Sequence, residues 1–166
     1  ALDATTSFDS SSEPFPLIEC DLGVDAEYLV DEGVRGTRSV YEGREVDGIS
    51  IVQGFFVLEP TPAELDLLLP RILGAAESTD VFAIAETLPT FSALVDRVAT
   101  VDRYDSLKVN RAIFSGATNQ KLRLRLEVIG VSESQGSAGS FPSGMTYSTQ
   151  EPYVIHQGVL TIASTG

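Results

Sequence analysis

The segment 33–74 switches from the residue pattern of a strand to that of a helix, with no linker between the two. Residues 45–58 are rich in β-branched and aromatic side chains, which favour a pleated backbone. Gly48 and Gly54 lie where a bulge would cost little. The helix that follows needs an apolar surface to cover, so the segment predicts a long strand and a helix that packs against a sheet.

The helix is predicted over 62–73. Thr61 supplies an N-cap hydroxyl, Pro62 suits the first helical position, and Glu64 can return a hydrogen bond to the cap, which completes a capping box. Gly74 can adopt the left-handed conformation that ends a helix. The apolar residues between them fall on one face at helical spacing: Leu65, Leu68, Leu69, Ile72 and Leu73.

Strand patterns recur along the rest of the chain. Apolar and charged residues alternate strictly over 121–128, so one face of that strand is expected in the core and the other carries charge. Residues 91–101 fit a strand and a helix, and we favour the strand. The other predicted elements are short strands at 17–22 and 28–30 around an acidic turn, a buried strand at 81–85, an acidic turn at 102–106, and strands at 107–115 and 152–162. The fold class predicted is mainly β, with two packed antiparallel sheets and one flanking α-helix.

The length of 166 residues and the apolar content of 43% suit one domain with a sizeable core. Residues 1–16 are rich in Ser, Thr, Asp and Pro and are predicted to form an extended N-terminal arm ahead of the domain at 17–166. Within the domain, 31–46 is predicted to be a long arm or hairpin. The Ser/Gly-rich stretch 132–150 is predicted to be a flexible loop.

The chain is strongly acidic, with 24 acidic against 11 basic residues and a formal net charge of −13. Binding to DNA by neutralising phosphates needs the opposite sign, so a DNA-binding role is disfavoured. No apolar run approaches the ~18 residues of a membrane helix, and the first residues lack the basic and apolar parts of a signal peptide. The sequence therefore predicts no membrane anchor.

Residues that carry chemistry are scarce. His156 is the only histidine and Cys20 the only cysteine, so one chain offers no metal site built from several such ligands and no internal disulfide. A phosphate-binding loop and a calcium loop are both missing. Asp102 and Asp105 are a candidate carboxylate pair, but nothing in the sequence raises the pKa of either. We predict no enzyme activity, no catalytic or metal-binding residue and no cofactor.

Three segments resemble tail tube proteins (major tail proteins) of long-tailed bacteriophages. The first is 33–74, in which an Arg-Gly-Thr-Arg segment precedes a strand, a Glu-Pro-Thr-Pro turn and a helix ending Ile-Leu-Gly. The second is 110–130, a hairpin whose second strand alternates and ends at Ile-Gly, and the third is 152–162. The tube proteins of type VI secretion and of contractile injection machines are related to this family.

The resemblance implies a structural virion protein without enzyme activity. It implies hexameric rings that stack into a hollow tail tube, with a bore that DNA passes through on its way into the host. The implied partners are further copies of the chain, a tape measure protein, a tail terminator and, in contractile tails, a sheath. The protein would be made in the host cytoplasm and reside in the virion tail. The acidic excess then suggests a bore wall that phosphates do not bind.

Two groups of basic residues are candidate contacts under this resemblance. Arg35, Arg38 and Arg44 lie in the predicted arm and are candidates for contact between rings, because arginine suits carboxylates on a neighbouring surface. Lys121, Arg123 and Arg125 form the charged face of the alternating strand and are candidates for contact between subunits. In an isolated domain both groups would be solvated surface.

Two features depart from the family. Many of its members continue with further strands beyond a segment like 152–162, and the acidic excess here is larger than a tube needs. A β-sandwich virion accessory, decoration protein or binding module that does not form tubes is therefore the alternative.

Overall fold

The computed structural model describes residues 2–3, 8–9, 12–29, 46–76, 78–79, 81–137 and 141–157. Within these residues no helix has the length and apolar character needed to cross a membrane. The elements are β1 (Leu2–Asp3), β2 (Leu17–Leu29), β3 (Val46–Leu58), α1 (Pro62–Leu73), β4 (Phe91–Asp96), β5 (Thr100–Ser115), β6 (Arg123–Gly130), β7 (Ser132–Ser137) and a 3₁₀ turn at Ile155–Gln157.

The strands form one antiparallel sheet in the order β1-β4-β5-β6-β3-β2, with β7 also paired to β5. Strands β6 and β7 follow each other along one side of β5, whereas β4 pairs with the other side only as far as Leu107. The prediction of a mainly β domain with one helix is confirmed. The two packed sheets of that prediction are two halves of this single sheet, joined through the 16 residues of β5.

The sheet curls so that its halves enclose a common core. Buried residues from β2, β3, β4, β5 and β6 form one cluster with Leu68 of α1. The edge strand β2 reaches the opposite half at Leu22, whose carbonyl oxygen accepts hydrogen bonds from Arg97 Nη2 at 2.7 Å and from the Tyr104 hydroxyl at 3.1 Å. Arg97 Nε also pairs with Asp102 Oδ2 at 2.7 Å. These contacts tie the first and last parts of the curled sheet together.

Two groups in this region release their protons less readily than in water. Burial raises the pKa of the Tyr104 phenol, and the hydrogen bond from Arg97 only partly offsets the effect. Burial likewise raises the pKa of the Cys20 thiol, which is a free cysteine on β2. The fold therefore favours the neutral form of both side chains.

The helix has the bounds and the two caps that were predicted for it. Thr61 caps α1, its backbone N–H donates to Glu64 Oε2 at 2.8 Å, and Glu64 N–H donates back to the Thr61 hydroxyl at 3.4 Å. Gly74 ends the helix at φ 97°. On the predicted apolar face Leu68 is fully buried, while Leu65 and Ile72 pack against the core.

Three predictions of turns and loops are wrong because a partner strand supplies the hydrogen bonds. Strand β2 continues through the acidic turn expected between 22 and 28, since β3 pairs along its whole length. The turn expected at 102–106 lies inside β5, with a local bend at Ser106, where φ is 58°. Residues 132–137, expected in a flexible loop, form β7 against the first half of β5.

Two predicted strands are also wrong. Residues 81–85 make only isolated bridges, and Val81 and Ile84 are exposed rather than buried, because no neighbouring strand edge receives them. Residues 152–157 make one isolated bridge, from Val154 to Lys121, and then the 3₁₀ turn. The rest of the predicted strand pair lies outside the described residues. The strand favoured at 91–101 is confirmed for 91–96, which form β4, but residues 97–99 form a turn with Val98 at φ 71°, and β5 begins at Thr100.

The stretch after β7 docks on the body of the domain. Ser148 accepts a hydrogen bond from the Thr61 hydroxyl at 3.2 Å, and Gln150 Oε1 accepts one from the Ala63 N–H at 2.9 Å. Backbone hydrogen bonds then join Tyr153 to Leu122 and to Pro60. The described part of the predicted loop therefore covers the start of α1.

Candidate assembly surface

Strands β2, β3, β6 and residues 108–115 of β5 form a four-stranded half in which every neighbouring pair is antiparallel. Alternate residues point into the core, and the residues between them form the opposite surface, which we call the open face. One row of paired residues crosses this face from edge to edge: Asp21, Phe55, Glu127 and Arg111. The row begins with an acid on β2 and ends with a base on β5.

The charges in the middle of the open face are paired within the chain. Lys121 Nζ lies 3.0 Å from Glu59 Oε2, and Arg123 Nε lies 3.5 Å from Glu59 Oε1. Arg125 Nε lies 3.4 Å from Glu127 Oε1. The guanidinium of Arg125 also stacks on the Phe55 ring, 3.5 Å from its centroid. The candidate residues Lys121, Arg123 and Arg125 therefore lie together at this face, each with a partner of its own chain.

The charges on the two edge strands lack the ion-pair partners that the charges in the middle of the open face have. Glu19 and Asp21 on β2, and Lys108 and Arg111 on β5, are exposed and make no ion pair within the described part of the chain. The sequence reflects this asymmetry: residues 1–34 hold nine acidic and no basic residues, and 106–126 hold five basic and no acidic residues. This block pattern, which no prediction above uses, marks the two edges.

Neither edge of the four-stranded half has a further strand partner among the described residues. Strand β2 pairs only with β3. Residues 108–115 of β5 pair only with β6, because the pairing of β4 with β5 ends at Leu107. An unpaired strand edge presents backbone donors and acceptors to any chain that can align with it. On β2 the carbonyl oxygen of Leu22 already accepts hydrogen bonds from Arg97 and Tyr104, so the free stretches of this edge lie on either side of Leu22. The two edges belong to different strands, so they are different surfaces.

The hairpin of β2 and β3 exposes apolar side chains on both of its faces. Val24 pairs with the buried Val52 and so lies on the core side, whereas Ile51 pairs with Asp25 on the open face. Val24 and Ile51 are both 43% exposed, and Ile49 is 76% exposed. Among the described residues, 46–51 of β3 pair only with 25–29 of β2, and a two-stranded ribbon by itself is marginal in water. Exposed apolar surface of this kind indicates a contact with another protein surface.

The other predicted residues do not assemble into a chemical site. Asp102 and Asp105 each pair with a different arginine. Asp102 pairs with Arg97, and Asp105 Oδ2 lies 2.9 Å from Arg103 Nε. His156 is exposed in the 3₁₀ turn rather than in a strand. A group of three or more side chains suited to a metal ion is not found among the residues described. Arg35, Arg38 and Arg44 lie outside the described residues.

Comparison with known proteins finds solved structures of low similarity and no sequence family. No family model and no curated protein matches the chain. A chain in the virion of a native gene transfer agent particle is 13% identical, with a TM-score of 0.47 over 82% of this chain and 94% of that chain. A chain in the C6-symmetric tail of an empty gene transfer agent particle is 13% identical, with a TM-score of 0.44 over 74% of this chain and 82% of that chain. At identities and scores this low, the likeness carries no argument about function.

Proposed function

We propose that this protein is a structural virion protein, a tail tube subunit that forms stacked hexameric rings. The observation that carries the proposal is the four-stranded half with two unlike, unpaired edges. Its strands alternate in direction, so β2 of one copy placed beside 108–115 of the next continues the antiparallel pattern. A contact between two different edges is heterologous, and repetition of such a contact closes into a ring or winds into a helix. The hexamer comes from the family resemblance.

Ring closure through these edges would turn the open face towards the bore. Each subunit would then contribute an acidic column from β2, with Glu19 and Asp21, and, on the far side of β3, basic residues of β6 that carboxylates already neutralise. We propose a wall of such columns in place of a uniformly acidic one. The cations of β6 would offer DNA phosphates no free charge, and β2 of the next copy would lie beside the unpaired Lys108 and Arg111 of β5, so DNA could pass without binding.

Contact between rings is assigned to the arm with Arg35, Arg38 and Arg44. Changing all three to Glu should stop the stacking of rings while single rings still form, because the altered arm repels the acidic surface of the next ring. Tubes of normal length from this variant would refute the role of the arm. Tape measure protein, tail terminator and sheath are the further partners that the proposal includes.

The test of the proposed function is negative-stain electron microscopy of the purified protein across a concentration series, with its mass measured in parallel by analytical ultracentrifugation. Rings or hollow tubes that grow in number with concentration are expected. A protein that stays monomeric at every concentration would refute the tube proposal and favour the accessory or binding module, which needs no ring.

A further inference from the structure

We propose that charge on the two edge strands selects the ring contact: the acidic row of β2 in one copy lies beside the basic row of 108–115 in the next copy. This inference rests on the proposed function, because it names the partner surface of the same assembly. The occupant of each edge is thus a second copy of this chain.

Ion pairs within the chain are found in the middle of the open face and not at its two edges. Charges on the inner strands have partners within the chain, such as Arg125 with Glu127 and Arg123 with Glu59. The edge residues Asp21 and Arg111 have none in the described structure, although both lie in one row across the sheet. Unlike charges left unpaired at opposite edges are complementary when the sheet is continued by another copy.

Contacts between two like edges of two copies are disfavoured by charge. Two copies joined through β2 alone would bring Glu19 and Asp21 close to the same acidic residues of the other copy. Two copies joined through β5 would likewise bring Lys108 and Arg111 together. Like charges on paired strands destabilise a sheet and opposite charges stabilise it. The edge charges therefore disfavour closed two-fold dimers and favour the heterologous contact that a ring needs.

Exposed apolar side chains near both edges can supply part of the affinity of the contact. Ile51 is exposed on the open face beside Asp25 of β2, and Val24 is exposed on the opposite face of β2. Ile129 is exposed beside Lys108, its partner in the β6–β5 register. Burial of these side chains would contribute the non-specific part of the association. Charge would then decide which edge meets which.

A charge-swap experiment tests the pairing. The variant Glu19→Lys/Asp21→Lys places basic residues at the proposed contact positions of both edges, and Lys108→Glu/Arg111→Glu places acidic residues at both. Each variant alone places like charges at every contact, and we expect its critical concentration for assembly to rise about tenfold or more above that of the wild type. An equimolar mixture should assemble again, because alternation of the two variants restores opposite charges around a ring with an even number of subunits.

Two controls separate pairing from net charge and from unfolding. Asp66→Lys/Glu86→Lys changes the net charge by the same amount as the β2 variant at two exposed positions away from both edges, and it should assemble as the wild type does. Thermal melts should show every variant folded. Wild-type assembly should also weaken from about 0.05 M to about 0.5 M salt, because exposed pairs are screened.

The outcomes are distinct for the two proposals. Recovery in the mixture, with failure of each variant alone, supports the charge-selected contact. Rings from each variant alone at the wild-type concentration overturn this inference and leave the tube proposal standing. Folded variants that fail alone and also fail as a mixture overturn it too, since the two edges would not then be partners. A wild-type protein that never assembles overturns both proposals.

Discussion

Replacement of Arg97 by methionine tests whether its contacts hold the curled sheet closed. The variant keeps most of the aliphatic stem and loses the 2.7 Å ion pair with Asp102 and the hydrogen bonds to Leu22 and Tyr104. Asp102 has a side chain that is only 5% exposed, and its remaining contact is a 3.3 Å hydrogen bond from Gln135. Removing one member of a buried pair leaves the other charge without compensation, which costs about 3–5 kcal/mol.

That cost must be reduced here because the side chain of Arg97 is 42% exposed and water screens one side of the pair. Leu22 also keeps its hydrogen bond from Tyr104. We therefore expect a loss of about 2–3 kcal/mol in the free energy of unfolding. With a slope of about 2 kcal/mol per molar urea, the unfolding midpoint should fall by about 1–1.5 M.

The assay is urea unfolding followed by circular dichroism at a concentration where the protein is monomeric. Arg103→Met is the matched control, because the pair of Arg103 with Asp105 is partly exposed on both sides and should contribute about 1 kcal/mol or less. Adding Asp102→Asn to Arg97→Met should recover part of the loss by removing the unpaired charge. A smaller loss for Arg97→Met than for Arg103→Met, or no recovery in the double variant, would refute the reasoning.

Three further predictions concern stability. Thr61→Ala should lose about 1 kcal/mol of unfolding free energy in the same urea titration, because the Thr61 hydroxyl caps α1. Thr61→Ser keeps the hydroxyl and should lose much less, so equal losses would contradict the capping role. Gly54 has φ 151°, and a Cβ added there would collide with the backbone of β2, so Gly54→Ala should lose about 2 kcal/mol or more of unfolding free energy. Gly23→Ala is the control and should fold normally, because a Cβ added at Gly23 meets no atom within 4 Å. Because burial raises the pKa of Tyr104 and Cys20, the folded chain keeps protons that the unfolded chain releases, and stability should decline as pH rises beyond about 9–10. Tyr104→Phe should flatten the decline above about pH 10, and an unchanged slope in a pH series of melts would count against this account.

The candidate surface was only partly predictable. The alternation in β6 placed Arg123 and Arg125 correctly on the charged face of a strand, because a period of two is a local property. The pairing of Arg123 with Glu59 depends on the register between β3 and β6 and on the turn after β3, which spacing along the chain does not give. Glu127, in contrast, lies two residues from Arg125 on the same face of β6. The opposite charges of β2 and β5 became meaningful only when the topology showed these strands to be the two edges.

The sequence by itself determined the helix and its ends. Thr61, Glu64 and Gly74 act through backbone groups within a few residues, so their conformations follow from local chemistry wherever the helix packs. The sequence also determined that strands would dominate and that the chain would carry a large negative charge.

Only the tertiary structure decided which polar stretches became strands and which apolar stretches did not. Asp102 lies within β5 because β4 and β7 supply its backbone partners and Arg97 its charge partner, and the serines of β7 are held by the register with β5. Val81 and Ile84 remain exposed because no strand edge is available to them. A strand is completed by hydrogen bonds from residues distant in sequence, so composition sets a preference and the neighbouring strand decides the outcome.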